Sequence, residues 1–141
     1  MSHIYIECFM KNEFLKEFEY RGYMNDCTNL EGLDDLFNEE KVTAYIGFDM
    51  TAKSLHVGSL MQIMILRLMQ KHGHQPIVLL GGGTTRIGDP SGKDKTRNAL
   101  TDQQIEENKE SLKRVFAKFL KFGEDGSDAM MIDNTEWLSD I

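Results

Sequence analysis

Apolar positions in this chain recur at helical spacing in some stretches and run unbroken in others, and the alternation between the two predicts its elements. Residues 12–22, NEFLKEFEYRG, set Phe14, Leu15, Phe18 and Tyr20 among charges, which predicts an amphipathic helix capped by Asn12 and ended by Gly22. Residues 30–40, LEGLDDLFNEE, predict a second, with Leu30, Leu33, Leu36 and Phe37 on one face. Residues 42–48 are β-branched and aromatic, the mark of a buried strand. From 57 to 72 the apolar residues go all the way round (Leu60, Met61, Ile63, Met64, Ile65, Leu66, Leu68, Met69), which predicts a helix buried on every side, its methionines in the core. It stops at Lys71-His72-Gly73, with basic residues at its end and a glycine cap. PIVLL at 76–80 is a second short strand, and 81–98 form a Gly-, Thr- and charge-rich loop too long for a connector. Thr101 caps a charged helix reaching about Phe122, striped by Ile105, Leu112, Val115, Phe116, Phe119 and Leu120. A turn at Glu124-Asp125-Gly126 leads to a third strand at 129–132.

Strand, helix, strand, helix, strand predicts an α/β chain with a Rossmann-like parallel sheet and flanking helices. Residues 12–141 form one domain in this reading, and 1–11 an N-terminal extension. Ligands in such sheets bind at the carboxyl ends of the strands. The two unusual segments, 47–59 and 81–98, both fall there.

Composition adjusts this picture only slightly. The chain has 141 residues, is 40% hydrophobic and 28% charged, and carries a net charge of −7 with a pI near 5.1. That excludes a surface basic all over, as for general nucleic-acid coating, and leaves a local basic patch open. Cys8 and Cys27 stand apart with no CxxC pattern, which predicts reduced thiols rather than a metal site or disulfide. MSHIYIECFM is interrupted by Glu7 and has no basic start, so it is not read as a signal peptide, and no run has membrane-spanning length. The expected location is cytoplasmic.

The candidate chemistry is concentrated in AYIGFDMTAKSLHVGSL, residues 44–60. Gly47 and Gly58 let a ligand approach the backbone. The N–H groups starting the helix near Val57 suit phosphate, which His56 can also hydrogen-bond, with the Thr51 hydroxyl nearby. Asp49 suits a sugar hydroxyl or an ammonium better than bare phosphate. Taken singly, His56 reads as a helix cap and Asp49-Met50-Thr51 as a turn. The joint pattern GFDxTxxxLHxG is far more specific than any of its members.

The second segment, GGGTTRIGDPSGKDKTR, fits neither the dinucleotide fingerprint, which wants glycine where Arg86 stands, nor the Walker pattern, since Asp94 follows Lys93. What remains is a glycine loop bearing Arg86, Lys93, Lys95 and Arg97. It reads either as a solvated surface loop or as a mobile cationic flap over a polyphosphate, supplying charge where a transition state develops it. His3, His72 and His74 read as surface or capping residues.

YIGFDMTAKSLHVGSL at 45–60, together with GGGTTRIGDPSGK at 81–93, resembles the bacterial tyrosyl-tRNA synthetases, a class I aminoacyl-tRNA synthetase family, and the resemblance runs from Asn12 through nearly the whole chain. It implies the first half of the class I nucleotide-binding fold and activation of tyrosine by ATP to tyrosyl-adenylate and pyrophosphate, followed by transfer to tRNA(Tyr). It implies ATP as a substrate, with Mg2+, no bound organic cofactor and no protein-held metal. On matching positions, Tyr45 would bond the phenolic hydroxyl of tyrosine, and Thr84 and Asp89 would line the amino-acid pocket, Asp89 near the ammonium. Gly47 and Asp49 would line the adenylate pocket, Gly58 would admit the adenine moiety, and Ser59 would reach the ribose. Thr51 and His56 would hold the ATP phosphates, and Lys93 and Arg97 would be the mobile-loop cations.

Three departures accompany the resemblance. Ser59 stands where the family usually has His or Asn, which implies a weaker or water-mediated ribose contact. Met50 replaces the usual Pro, which implies a looser turn. The lysine-bearing KMSKS signature, the helix that clasps tyrosine from the far side, the region of the family's homodimer interface and the anticodon-reading domain have no counterpart. The expectation is therefore an incomplete piece, inactive alone. The alternatives are a small HxGH-type nucleotidyltransferase, whose Ser/Thr-rich carboxyl-end motif is missing from MMIDNTEWLSDI, and a non-catalytic nucleotide-binding fragment.

Overall fold

The computed structural model describes residues 10–87 and 100–138. Helix α1 (Glu13–Tyr20) is followed by α2 (Leu30–Glu39), β1 (Thr43–Asp49), α3 (Val57–Lys71) and β2 (Gln75–Gly81). After these come the short α4 (Gly82–Ile87), α5 (Asp102–Phe116), β3 (Met130–Asp133) and α6 (Thr135–Leu138). The strands form one parallel sheet in the order β1-β2-β3, with Tyr45 opposite Ile77 opposite Met130, and Gly47 opposite Leu79 opposite Ile132. This α/β architecture is the one expected. Two elements are new, since the expected loop at 81–98 begins as α4 and the chain turns into α6 straight after β3, and one is shorter than expected: α5 ends at Phe116 rather than near Phe122.

The core sits on one face of the sheet. Phe48, Val78 and Leu80 point to the same side and pack with Ile63 and Leu66 of α3 and with Ile105, Leu112 and Phe116 of α5. The Phe48 and Phe116 rings meet edge to face at 4.8 Å. Both crossovers run in the same direction along the sheet, so their right-handedness places both helices on this face.

A second cluster joins α1 and α2 to the end of α3 through Met10, Phe14, Leu15, Phe37, Leu68 and Met69. Asn12 caps α1 by accepting from the N–H groups of Phe14 and Leu15, and its amide donates to the Phe37 carbonyl at 2.9 Å. The buried Asp34 accepts from the backbone N–H groups of Lys11 and Asn12, tying the two helices together. Met10 is buried, so packed residues reach into the expected extension.

Two expectations fail here. α3 is not buried all round: Val57 is 85% exposed and Met61 54%, with Leu60 exposed as well, while α1, α2, α5 and one sheet face pack on its other sides. His74 is not a surface residue but is 6% exposed, wedged edge-on to Phe37 at 4.5 Å. Its Nδ1 accepts the Val42 N–H, giving the start of the strand a partner. His72, by contrast, caps the end of α3 as expected.

Candidate active site

Three segments converge at the carboxyl ends of the strands. The first is the end of β1, where Tyr45, Gly47 and Asp49 alternate onto the sheet face opposite the core. Tyr45 is 66% exposed and Gly47 has open space above it. A Cβ on Gly81 would meet the Thr84 hydroxyl and lie 3.4 Å from an Asp49 carboxylate oxygen, so Asp49 and Thr84 flank this glycine. The structure thus brings Tyr45, Gly47, Asp49 and Thr84 to one side of the sheet.

The second segment is the turn after β1. Met50 was expected to loosen it, yet Met50 is wholly buried and held at both backbone ends. Its N–H donates to the Thr85 hydroxyl at 3.3 Å, a bond proline could not make, and its carbonyl accepts from Asn108 of α5 at 2.8 Å. Thr51, just beyond, is exposed. His56 caps α3: its Nδ1 accepts the Gly58 N–H at 3.0 Å. With Nδ1 an acceptor, Nε2 is the ring nitrogen left to donate. A Cβ on Gly58 would press into the His56 ring at 2.8 Å, so the glycine is required by the cap itself. Ser59 is buried in the first turn of α3, its N–H bonded to the His56 carbonyl at 3.0 Å.

The third segment is the end of β3, which the sequence reading passed over. Asp133 and Asn134 are buried polar residues, and Asn134 serves the end of the neighbouring strand. Asn134 accepts the Gly83 N–H at 2.8 Å and donates to the Thr84 hydroxyl at 3.5 Å. Asp133 accepts from the Thr135 N–H and hydroxyl and pairs with Lys109 of α5 at 2.8 Å. Burial pushes the Asp133 carboxyl up, but Lys109 and Thr135 outweigh it and hold it below its ordinary value, while the same pairing raises Lys109. A Cβ on Gly82 would collide with Asp133, Thr135 and Met50. Adjacent buried polar residues, Asp-Asn, at a strand's carboxyl end are the signal that could have flagged this segment.

Asp89, Lys93 and Arg97 lie outside the described residues. Among the described residues no cluster of three or more His, Cys, Asp or Glu could hold a metal ion. An open depression of about 560 Å³ lies between Lys53 and the polar face of α5, lined by Glu106, Glu107 and Glu110. It holds none of the candidate residues and is a solvated charged surface. None of the described helices is long and apolar enough to cross a membrane.

The protein family described as tRNA synthetases class I (W and Y) matches residues 37–141. The tyrosine–tRNA ligase of Rickettsia prowazekii (strain Madrid E) is 59% identical over 128 residues, covering 91% of this chain and 31% of its own length. That of Ehrlichia canis (strain Jake) is 56% identical over 132 residues, covering 94% and 32%. A C-terminally truncated mitochondrial tyrosyl-tRNA synthetase from Coccidioides posadasii superimposes with a TM-score of 0.73 at 31% identity, over 97% of this chain and 39% of the other. The Aspergillus nidulans counterpart gives 0.74 at 27%, over 97% and 43%. The chain therefore spans about a third of the length of these curated relatives. The match across residues 37–141 takes in all three strand ends that build the site, and the chain belongs to the class I tRNA synthetases of the tryptophan and tyrosine group.

Proposed function

We propose that this chain is the N-terminal part of the catalytic domain of a tyrosine–tRNA ligase. The reaction is activation of tyrosine by ATP to tyrosyl-adenylate, then transfer to tRNA(Tyr). The observation that carries the reading is the 56–59% identity to tyrosine–tRNA ligases across roughly nine-tenths of the chain. The family match sets aside the small nucleotidyltransferase alternative.

In this reading the exposed Tyr45 hydroxyl hydrogen-bonds the substrate phenol, and Thr84 and Asp89 receive its amino-acid end. Asp49 and Gly47 border the adenylate. His56 donates from Nε2, and Thr51 from its hydroxyl, to ATP phosphate oxygens as pyrophosphate leaves, with Lys93 and Arg97 adding charge. Gly58 and Ser59 lie on the nucleotide side. The donors matter most where negative charge develops, since preorganised dipoles need no rearrangement at that moment. Mg2+ enters on the ATP phosphates, not on a protein cluster. The full family enzyme acts as a homodimer in the cytoplasm, and this part alone does not turn over.

Two measurements test the reading. The isolated chain shows no tyrosine-dependent ATP–pyrophosphate exchange, and exchange above background overturns the inactive-piece reading. In equilibrium binding, a non-hydrolysable tyrosyl-adenylate mimic binds more tightly than its phenylalanyl counterpart, and Tyr45→Phe removes the difference. Equal binding of the two mimics by the parent chain overturns the tyrosine reading.

A further inference from the structure

Consecutive residues of α5 reach the carboxyl ends of the strands, and each takes hold of a different point. Glu107 pairs at 2.9 Å with Lys53, in the segment joining β1 to α3, on the surface. Asn108 donates to the Met50 carbonyl at 2.8 Å, and Lys109 pairs with Asp133 at the end of β3, also at 2.8 Å. Successive helical residues point about 100° apart, so a single turn of α5 addresses solvent, the end of β1 and the end of β3.

Packing alone does not account for the residues at 108 and 109. Asn108 interrupts the buried apolar stripe of Ile105, Leu112 and Phe116, where an amide is costly unless it is bonded. The largely buried Lys109–Asp133 pair adds little stability over apolar residues of the same volume, but it fixes a distance and a direction.

We propose that Asn108 and Lys109 are positioning residues for the two halves of the site: Asn108 sets the nucleotide half through Met50, and Lys109 sets the amino-acid half through the end of β3. Met50 lies between Asp49 and Thr51, so a shift of its carbonyl moves both. Asp133, held by Lys109, accepts from the N–H and hydroxyl of Thr135, which fixes the backbone on either side of Asn134. Asn134 donates its own N–H to the Leu80 carbonyl at 2.9 Å, while its side chain accepts the Gly83 N–H and donates to the Thr84 hydroxyl. The path from Lys109 to Thr84 therefore runs through Asp133 and Asn134. The inference deepens the proposed function and takes from it the assignment of Asp49 and Thr51 to the nucleotide and of Thr84 to the amino acid.

The test measures binding to the 141-residue chain by calorimetry, with adenosine monophosphate as the probe of one half and tyrosinol as the probe of the other. Asn108→Leu should weaken adenosine monophosphate at least fivefold and leave tyrosinol within twofold. Lys109→Met should do the reverse, and Lys109→Arg should restore tyrosinol binding. A residue that only stabilised the fold would lower the unfolding midpoint and move both affinities together or neither. Amide exchange gives the same contrast without ligand: Lys109→Met should speed exchange at Gly83 at least tenfold and not at Met50, and Asn108→Leu at Met50 and not at Gly83. Should either variant fail to fold, Thr135→Ala, which takes one donor from Asp133, replaces Lys109→Met, and Thr85→Val, which frees the Met50 N–H, replaces Asn108→Leu. Parallel losses of both probes in both variants, or no loss in either, overturn the proposal. Equal binding of tyrosinol and phenylalaninol by the parent sinks the tyrosine reading alone, since the contrast is then read with phenylalaninol. A parent that binds none of the probes overturns both.

Discussion

Asn108 is the most informative residue to perturb, because a buried amide on α5 holds the turn that carries Asp49 and Thr51. Its Nδ2 donates to the Met50 carbonyl at 2.8 Å, and Asn108 is 4% exposed. Asn108→Leu keeps the volume and removes the donor, leaving a buried carbonyl unpaired. That should cost about 1–3 kcal/mol, the desolvation penalty of an orphaned buried acceptor. Thr85→Val removes the partner at the other end of Met50, but this bond is longer, 3.3 Å, and only partly buried, so about 0.5–1.5 kcal/mol is expected. The assay is urea unfolding followed by Trp137, the chain's single tryptophan. With an m-value of roughly 1.5 kcal/mol/M, a loss of about 2 kcal/mol lowers the midpoint by a little over 1 M. Native-state amide exchange supplies the local readout: Met50 should lose protection in Thr85→Val before the sheet does. Because both bonds act on one residue, the double variant should depart from additivity by at least 0.5 kcal/mol. An Asn108→Leu chain within about 0.5 kcal/mol of the parent, with an unchanged m-value, refutes the clamp.

Three further outcomes follow from the strand ends and the buried histidine. Gly82→Ala places a methyl against Asp133, Thr135 and Met50, and should cost about 1–3 kcal/mol in the same unfolding assay, whereas Gly47→Ala, over open space, should cost less. Lys109→Met leaves the buried Asp133 carboxylate without its cation and should destabilise by about 1–3 kcal/mol at neutral pH, with the acid unfolding limb moved to higher pH. The sign is that of a carboxyl lowered in the folded state: its stabilisation is present above the unfolded pKa near 3.8 and is lost as pH falls through the folded value. His74 is lowered by burial and then by the neighbouring His72, so the unfolded chain binds its proton first and stability falls as pH drops below about 6.5. His74→Gln, which retains an acceptor for the Val42 N–H, should flatten the pH dependence of the unfolding midpoint between pH 7.5 and 5.5, and an unchanged slope refutes the assignment.

By itself the amino-acid sequence determined most of the elements and pointed to a candidate site. The apolar periodicities of 30–40, 57–72 and 101–122, the runs at 42–48 and 76–80 and the caps Asn12 and Thr101 are local signals, and local signals set helices and strands, although the last of these helices ends at Phe116. The two motif-bearing segments could be read as a site because parallel sheets put ligands at strand ends. The tertiary structure decided which sides of those elements are covered. α3 looked buried all round, but exposure depends on what packs against a helix, and Val57, Leu60 and Met61 are exposed. His74 looked like a surface residue because its partners, Phe14, Phe37 and Val42, are remote in sequence. Met50 looked like a loosened turn because the Asn108 amide that tightens it lies 58 residues away. The face of the sheet that carries the core was invisible for the same reason: alternation along one strand says that two faces exist, and only packing says which one α3 and α5 cover.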